Sequence, residues 1–170
     1  ITSAAYIPTA TNPVAQQRMR ALNVPVTASA TNIALNTTAT ASSYTGSNTP
    51  AKAVDGSNKT RWRCANGAGC WLALDFGTNK VLTQTDYDEQ GNKITGYTIE
   101  VSRDGTTWET VRGLSMSADV ANFDKVTARY LRIVITSVSS IEPALNEFKV
   151  YAVTSGSSRT LGSGTISIDW

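Results

Sequence analysis

The chain has 170 residues, a length that suits one domain with spare segments and a single buried core. Hydrophobic residues make up 41% and charged residues only 16%, so the surface must be built from Ser, Thr, Asn and Gly rather than from ion pairs. The net charge is +2 with no long basic run interleaved with aromatics, which makes nucleic acid a poor partner, and no apolar run approaches the roughly 18–20 residues of a membrane span.

Residues 1–31 are rich in Ala, Thr and Pro. Here Asn12 can cap a short helix over Asn12–Leu22, with Pro13 in its first turn and Ala15, Met19 and Leu22 on one narrow face. Too short to bury much by itself, this arm is expected to lie against the domain or to dock on another chain. Residues 32–153 read as short strands separated by turn signals, the pattern of an all-β antiparallel sandwich.

Within that span, PAKAVDGSNKTRW (Pro50 to Trp62) concentrates carboxylate, hydroxyl and carbonyl oxygens in one turn-rich loop. Gly56 permits φ > 0 after Asp55, so the backbone can fold back and aim several carbonyls inward. That oxygen-rich cage suits calcium, whereas zinc would want histidine and thiolate ligands. The simpler reading is that Asp55-Gly56 only makes a tight turn.

Next come Cys64 and Cys70, bracketing ANGAG, which read as a hairpin staple rather than half of a zinc site; two reduced thiols are the alternative. Trp62, Trp71 and Trp108 are each predicted to be core, because an indole contributes more buried area than most side chains. TDYDEQGN (Thr85 to Asn92), with Asp86, Asp88 and Glu89, is predicted to be a solvated acidic turn. Tyr97, Ile99 and Val101 alternate with Thr98 and Glu100, as Leu131, Ile133 and Ile135 do with Arg132 and Val134, so each run has one core face. Arg103 to Thr106 is the turn after the first of these strands. Residues 154–170 read as a Ser/Gly linker followed by a strand-like end, Thr165 to Trp170.

The spacing P-x-x-A-x-D-G-x-x-x-T-x-W resembles the metal loop of the discoidin, or coagulation factor 5/8 type C, domains. NIALNTTATASSY (Asn32 to Tyr44) is similar to that family's first core strand and the loop after it, and WLALDFG (Trp71 to Gly77) to its next strand. YTIEVSRDGTTWETV (Tyr97 to Val111) resembles the central hairpin, ARYLRIVI (Ala128 to Ile135) the penultimate strand, and ALNEFKVY (Ala144 to Tyr151) the closing strand. The family includes the family 32 carbohydrate-binding modules and the N-terminal galactose-binding domain of galactose oxidase. Its fold, a galactose-binding-domain-like jelly roll, is the expectation for this chain.

The resemblance implies a structural Ca2+ bound by the Lys52 carbonyl, Asp55, Ser57, Thr60 and Glu147, with the Asn146 carbonyl as a further ligand. Ser57 stands where relatives often have Asn or Asp. A cation there would tie the loop to the closing strand. The resemblance also implies a ligand site in loops at one end of the sandwich, where sugar recognition needs an aromatic face and planar donors. Tyr44, Asn48, Arg61, Arg63 and Asn66 occupy those loops, with Arg61 and Arg63 pointing outward and able to pair with Asp86 or Asp88. Galactose-binding relatives commonly use a histidine, and this chain has none.

Catalysis is not expected, because a hydrolytic triad needs a base such as histidine and no pair of carboxylates assembles into a glycosidase site. The expected function is a non-catalytic, calcium-stabilised glycan-binding module at an extracellular, cell or virion surface. The alternative is a structural or decoration subunit of a virus or surface fibre, reaching protein neighbours through its terminal arms.

Overall fold

The structure, a computed structural model, describes residues 31–91 and 93–153. The expected arm helix Asn12–Leu22 and the strand-like end Thr165–Trp170 lie outside these residues.

Strands account for nearly all of the regular structure. In chain order they are β1 (Thr31–Asn32), β2 (Thr38–Ala41), β3 (Trp62–Arg63), β4 (Trp71–Glu89), β5 (Ile94–Ser102), β6 (Glu109–Thr110), β7 (Ser115–Ser117), β8 (Val120–Val138) and β9 (Ala144–Ala152), with one 3-10 turn at Pro50–Ala53. All pairings are antiparallel, and β4 and β8 organise them.

Each of these two strands runs for 19 residues and serves two layers. Trp71–Asp75 of β4 pairs with Tyr130–Val134 of β8, while β2 and β5 flank that pair. The register then shifts between Asp75 and Lys80, where Gly77 has φ +73°, and β4 continues beside β9 and the first residues of β8. A long strand bent by such an irregularity lets one sheet curl into the two facing layers of a sandwich.

The period-two patterns settle the core. Tyr97, Ile99 and Val101 are buried from β5, and Leu131, Ile133 and Ile135 from β8, as expected from their alternation. From the other layer Leu82, Phe148 and Val150 meet them, and Trp62 is fully enclosed. Truncating an aromatic of this kind to Ala typically costs about 3–5 kcal/mol.

Three expectations need correction. First, Trp71 and Trp108 are only half-buried, because Leu72 and Leu74 take the inner face of β4 and leave Trp71 on the outer one. Second, Asp86, Asp88 and Glu89 belong to β4 and not to a turn: Thr85 and Tyr87 are buried in alternation with them, and the reversal comes after Glu89. Third, the first core strand is split into β1 and β2, since Asn32 Oδ1 accepts from the Ala34 and Val150 amides and Asn36 takes φ 58°. Asparagine side chains compete with the ladder in this way.

Candidate cation and glycan sites

The Pro50–Trp62 loop is shaped by its own oxygens. Asp55 Oδ1 accepts from the Ser57 amide at 3.0 Å, and the Thr60 hydroxyl reaches both Asp55 oxygens, at 2.8 and 2.7 Å, and the Ser57 carbonyl at 3.0 Å. Ser57 Oγ accepts from the Lys59 amide at 3.2 Å, and Gly56 takes φ +78°, which lets the chain reverse there. Lys52 sits in the 3-10 turn just upstream.

β9 closes over this loop. The Asn146 amide donates to the Asn58 carbonyl at 3.0 Å, leaving Asn146 Oδ1 buried without a partner. Glu147, next along, is only 5% exposed, and among the described residues neither of its carboxylate oxygens makes a hydrogen bond of ordinary geometry. Burial pushes its carboxyl above the usual range and the Asp55 carboxylate pushes the same way, against opposition from the Gly56 amide and Lys149. Asp55 and Thr60 are thus hydrogen-bonded within the loop, and the Asn146 amide ties β9, with Glu147 next along, to the same loop at Asn58.

A buried carboxylate that feels a second carboxylate's charge is the kind of group that a hard cation relieves. No three acidic or cysteine side chains converge among the described residues, so such an ion would rely on hydroxyl, amide and carbonyl oxygens beside the two carboxylates.

The second site is the loop end, built on β3. Trp62 is anchored in the core and its indole N–H donates to the Ser43 carbonyl at 3.0 Å. The Thr45 amide donates to the Arg63 carbonyl at 3.0 Å, and the Arg63 amide to the Asn48 carbonyl at 3.2 Å, so the Tyr44 and Asn48 segment is stitched to Arg63. Cys64 and Cys70 form a disulfide, and the loop between them is pinned on both sides: the Cys64 amide donates to Pro143 and the Gly69 amide to Ile135.

Around Arg63 lie an exposed Tyr44, an exposed Asn66 and a half-buried Asn48. Among the described residues Arg63 Nε is buried without a partner, and its guanidinium reaches only Glu142, at 3.7 Å. This corrects the expected pairing with Asp86 or Asp88, which instead share Lys149 at 3.3 and 3.1 Å. Arg61 is half-buried on the metal-loop side of Trp62 and makes no ion pair among the described residues. Glu142, unremarked in the sequence, sits in the loop before β9 with φ 60°.

Asp75, Glu100, Asp104 and Glu89 are held in pairs and turns. Asp75 takes a two-point contact from Arg129, at 2.8 Å for both bonds, and this lowers its carboxyl below the ordinary range. Glu100 holds Arg132 at 2.6 Å. Asp104 accepts from the Thr107 and Thr106 amides, which depress it strongly. Glu89 accepts from the Lys93 and Ile94 amides.

The chain is thus a curled β-sandwich in which β9 is tied to the Pro50–Trp62 loop and β3 carries Arg63 at the loop end. This chain belongs to the F5/8 type C domain family, whose model matches residues 38–147. Solved structures agree. Chitosan-binding module 1 of a chitosanase/glucanase from Paenibacillus sp. IK-5 is 35% identical, with 71% of this chain and 98% of that one covered at a TM-score of 0.64. Module 2 of the same enzyme, solved with chitotriose, is 31% identical, with 71% and 99% covered at a TM-score of 0.64. The CBM32 of AlyQ, solved with 4,5-unsaturated mannuronic acid, is 27% identical, with 66% and 92% covered at a TM-score of 0.59. Among curated proteins, none matches the chain in sequence.

Proposed function

We propose that this chain is a non-catalytic glycan-binding module of the extracellular or cell-surface space, stabilised by a calcium ion and gripping sugar with the loop end around Arg63. The observation that carries the reading is its likeness to chitosan-binding modules across almost their whole length. Arg63 supports it locally, since a guanidinium with five N–H donors and one distant carboxylate has capacity left for vicinal hydroxyls. Glu142 beside it offers an acceptor for hydroxyl or amino groups, and Tyr44 offers a ring for a pyranose face.

Calcium fits the second cage because its unmet groups are oxygens. The Lys52 carbonyl, Asp55, Ser57, Thr60 and Glu147 would hold it. Asn146 would join through its orphaned Oδ1. Ser57 would contribute its carbonyl, since its hydroxyl is occupied by the Lys59 amide. The ion would lock the Pro50–Trp62 loop to β9 and so set the base on which β3 and Arg63 stand.

No reaction is assigned. The chain lacks histidine, and Asp75, Asp86, Asp88, Glu89, Glu100 and Asp104 are each committed to a cation or to backbone amides. The alternative role as a virus or fibre subunit draws on the terminal segments, outside the described residues, and no observation favours it.

Titration of the full chain with chitotriose by calorimetry tests the glycan reading. Binding is expected, with at least a tenfold loss in Arg63→Ala at an unchanged melting temperature. Silence with chitotriose and across a broad glycan array would end it, and so would equal affinity of the variant.

A further inference from the structure

The outer face of the first layer carries a feature that the loop-end reading does not use. Ala73 sits at its centre. Along β4 its same-face neighbours are Trp71 and Asp75, and across the strands it is paired with Thr40 of β2 and Arg132 of β8. A methyl group ringed by larger side chains makes a pit. Its far wall is Tyr130 and Trp108, whose rings meet edge to face at 6.5 Å. The open pit holds about 280 Å³, just below the roughly 300–1,000 Å³ typical of small-molecule sites and room for a single sugar ring.

The pit is preorganised. Arg132 lies over the Trp108 ring at 4.3 Å and is locked by Glu100, so neither the guanidinium nor the indole is free to swing. Arg129 holds Asp75 by its two-point contact and lies over Tyr130 at 4.9 Å. Gly105 must stay small, because a Cβ there would come within 3.2 Å of the Tyr130 ring.

The chemistry of the lining selects the occupant. Three half-buried aromatic rings around an alanine floor offer flat apolar walls, while Thr38 and Thr40 hydroxyls, a carboxylate and a guanidinium form the rim. Aliphatic side chains of the kind that would greet a lipid or an apolar peptide are nearly missing from it. Both charged rim groups are neutralised by ion partners, so no net charge favours an acidic or an amino sugar. Arg132 commits Nε and Nη2 to Glu100, which leaves N–H groups to donate.

We propose that the Ala73 pit is a second glycan subsite that takes a neutral hexopyranose, with its C–H faces against Trp71 and Trp108 and its hydroxyls on Arg132 and the Thr38–Thr40 edge. It extends the glycan-binding reading but shares no residue with the loop end. Trp71 directly follows Cys70, so the pit begins where the disulfide-closed loop ends.

The test follows the Trp71 and Trp108 indole N–H resonances of the full chain by NMR. Cellotetraose should move both signals with millimolar affinity, in wild type and in Arg63→Ala alike. Ala73→Leu, which fills the floor from the solvent side, should weaken that response at least tenfold without shifting the melting temperature; Trp71→Ala, read at the Trp108 signal, should weaken it as much if leucine disturbs β4. Four results would overturn the proposal: unmoved indoles, an undiminished response in Ala73→Leu and Trp71→Ala, a response only to charged tetramers of glucosamine or galacturonate, or a response that vanishes in Arg63→Ala. A fifth would too. If a soluble paramagnetic probe fails to broaden these signals in the free chain, another segment already covers the pit.

Discussion

Glu147→Gln should change the stability of this protein in opposite directions with and without calcium. In the absence of metal, the wild-type chain buries a carboxylate that is 5% exposed and that, among the described residues, makes no hydrogen bond of ordinary geometry at either oxygen. An unsatisfied buried polar group costs about 1–3 kcal/mol, more when charged, and a neutral amide of the same shape is cheaper to bury. In EDTA the variant should therefore melt at the same temperature as wild type or a few degrees higher. With calcium at a hundred times its Kd, the wild type gains about 2.7 kcal/mol, which for a domain of this size is a rise of about 10 °C. The variant should lose most of that rise. Asp55→Asn checks the loop side: its replacement should blunt the calcium response. In EDTA the repulsion it relieves at Glu147 is offset by the Ser57 and Thr60 hydrogen bonds it weakens, so its melting point there should move less than that of Glu147→Gln. Differential scanning calorimetry of the three chains, each in EDTA and in calcium, reads all of this. A wild-type melting curve indifferent to calcium, or a Glu147→Gln variant equally destabilised in both buffers, would refute the reasoning.

Acid should weaken the fold through Asp75 and Asp104. Both carboxyls are depressed in the folded state, Asp75 chiefly by Arg129 and Asp104 chiefly by the Thr107 amide, so their contribution is present above the ordinary carboxylate pKa of about 4 and is lost as pH falls below it. Urea midpoints measured downward from pH 5 should fall less in Asp104→Asn than in wild type. Base acts through Tyr97, whose phenol is pushed up to about 12, first by burial and then by Asp119 and Asp86. Stability should be intact below about pH 10 and decline between there and about 12, less steeply in Tyr97→Phe. That variant also removes a buried hydroxyl without a partner, so at neutral pH it should be no less stable. Reducing the disulfide, which joins residues 6 apart in sequence, should cost about 2 kcal/mol, seen as a lower melting temperature; an unchanged one would mean that the backbone bonds at Cys64 and Gly69 hold the loop alone.

The layers, the β5 and β8 core faces and the disulfide partners were legible because each follows from short-range pattern: period-two alternation, or two cysteines in one turn. The contact of β9 with the Pro50–Trp62 loop, made by Asn146 on Asn58, had no local signal. Nothing local to Glu147 says that its carboxylate will be buried beside a loop contributed much earlier in the chain. Strand parity overrides side-chain type where the two conflict. In WLALDFG, Leu72 and Leu74 already claim the inner face, so Trp71 must share the outer face with Ala73 and Asp75. The size of an indole argues for burial but cannot move it across a pleat. The same rule was available in TDYDE, where Thr85 and Tyr87 alternate with Asp86 and Asp88 as a strand does, and the density of charge hid it. Trp108 had no such signal, since it lies in the loop before β6 and its place is set by stacking with Arg132. These misplacements bear on function as well as fold. A tryptophan forced outward by its neighbours' parity must find cover or stay half-exposed, and Trp71 stays half-exposed beside the smallest side chain on its face. That is how a strand with an ordinary core side comes to present an aromatic-walled pit on the other.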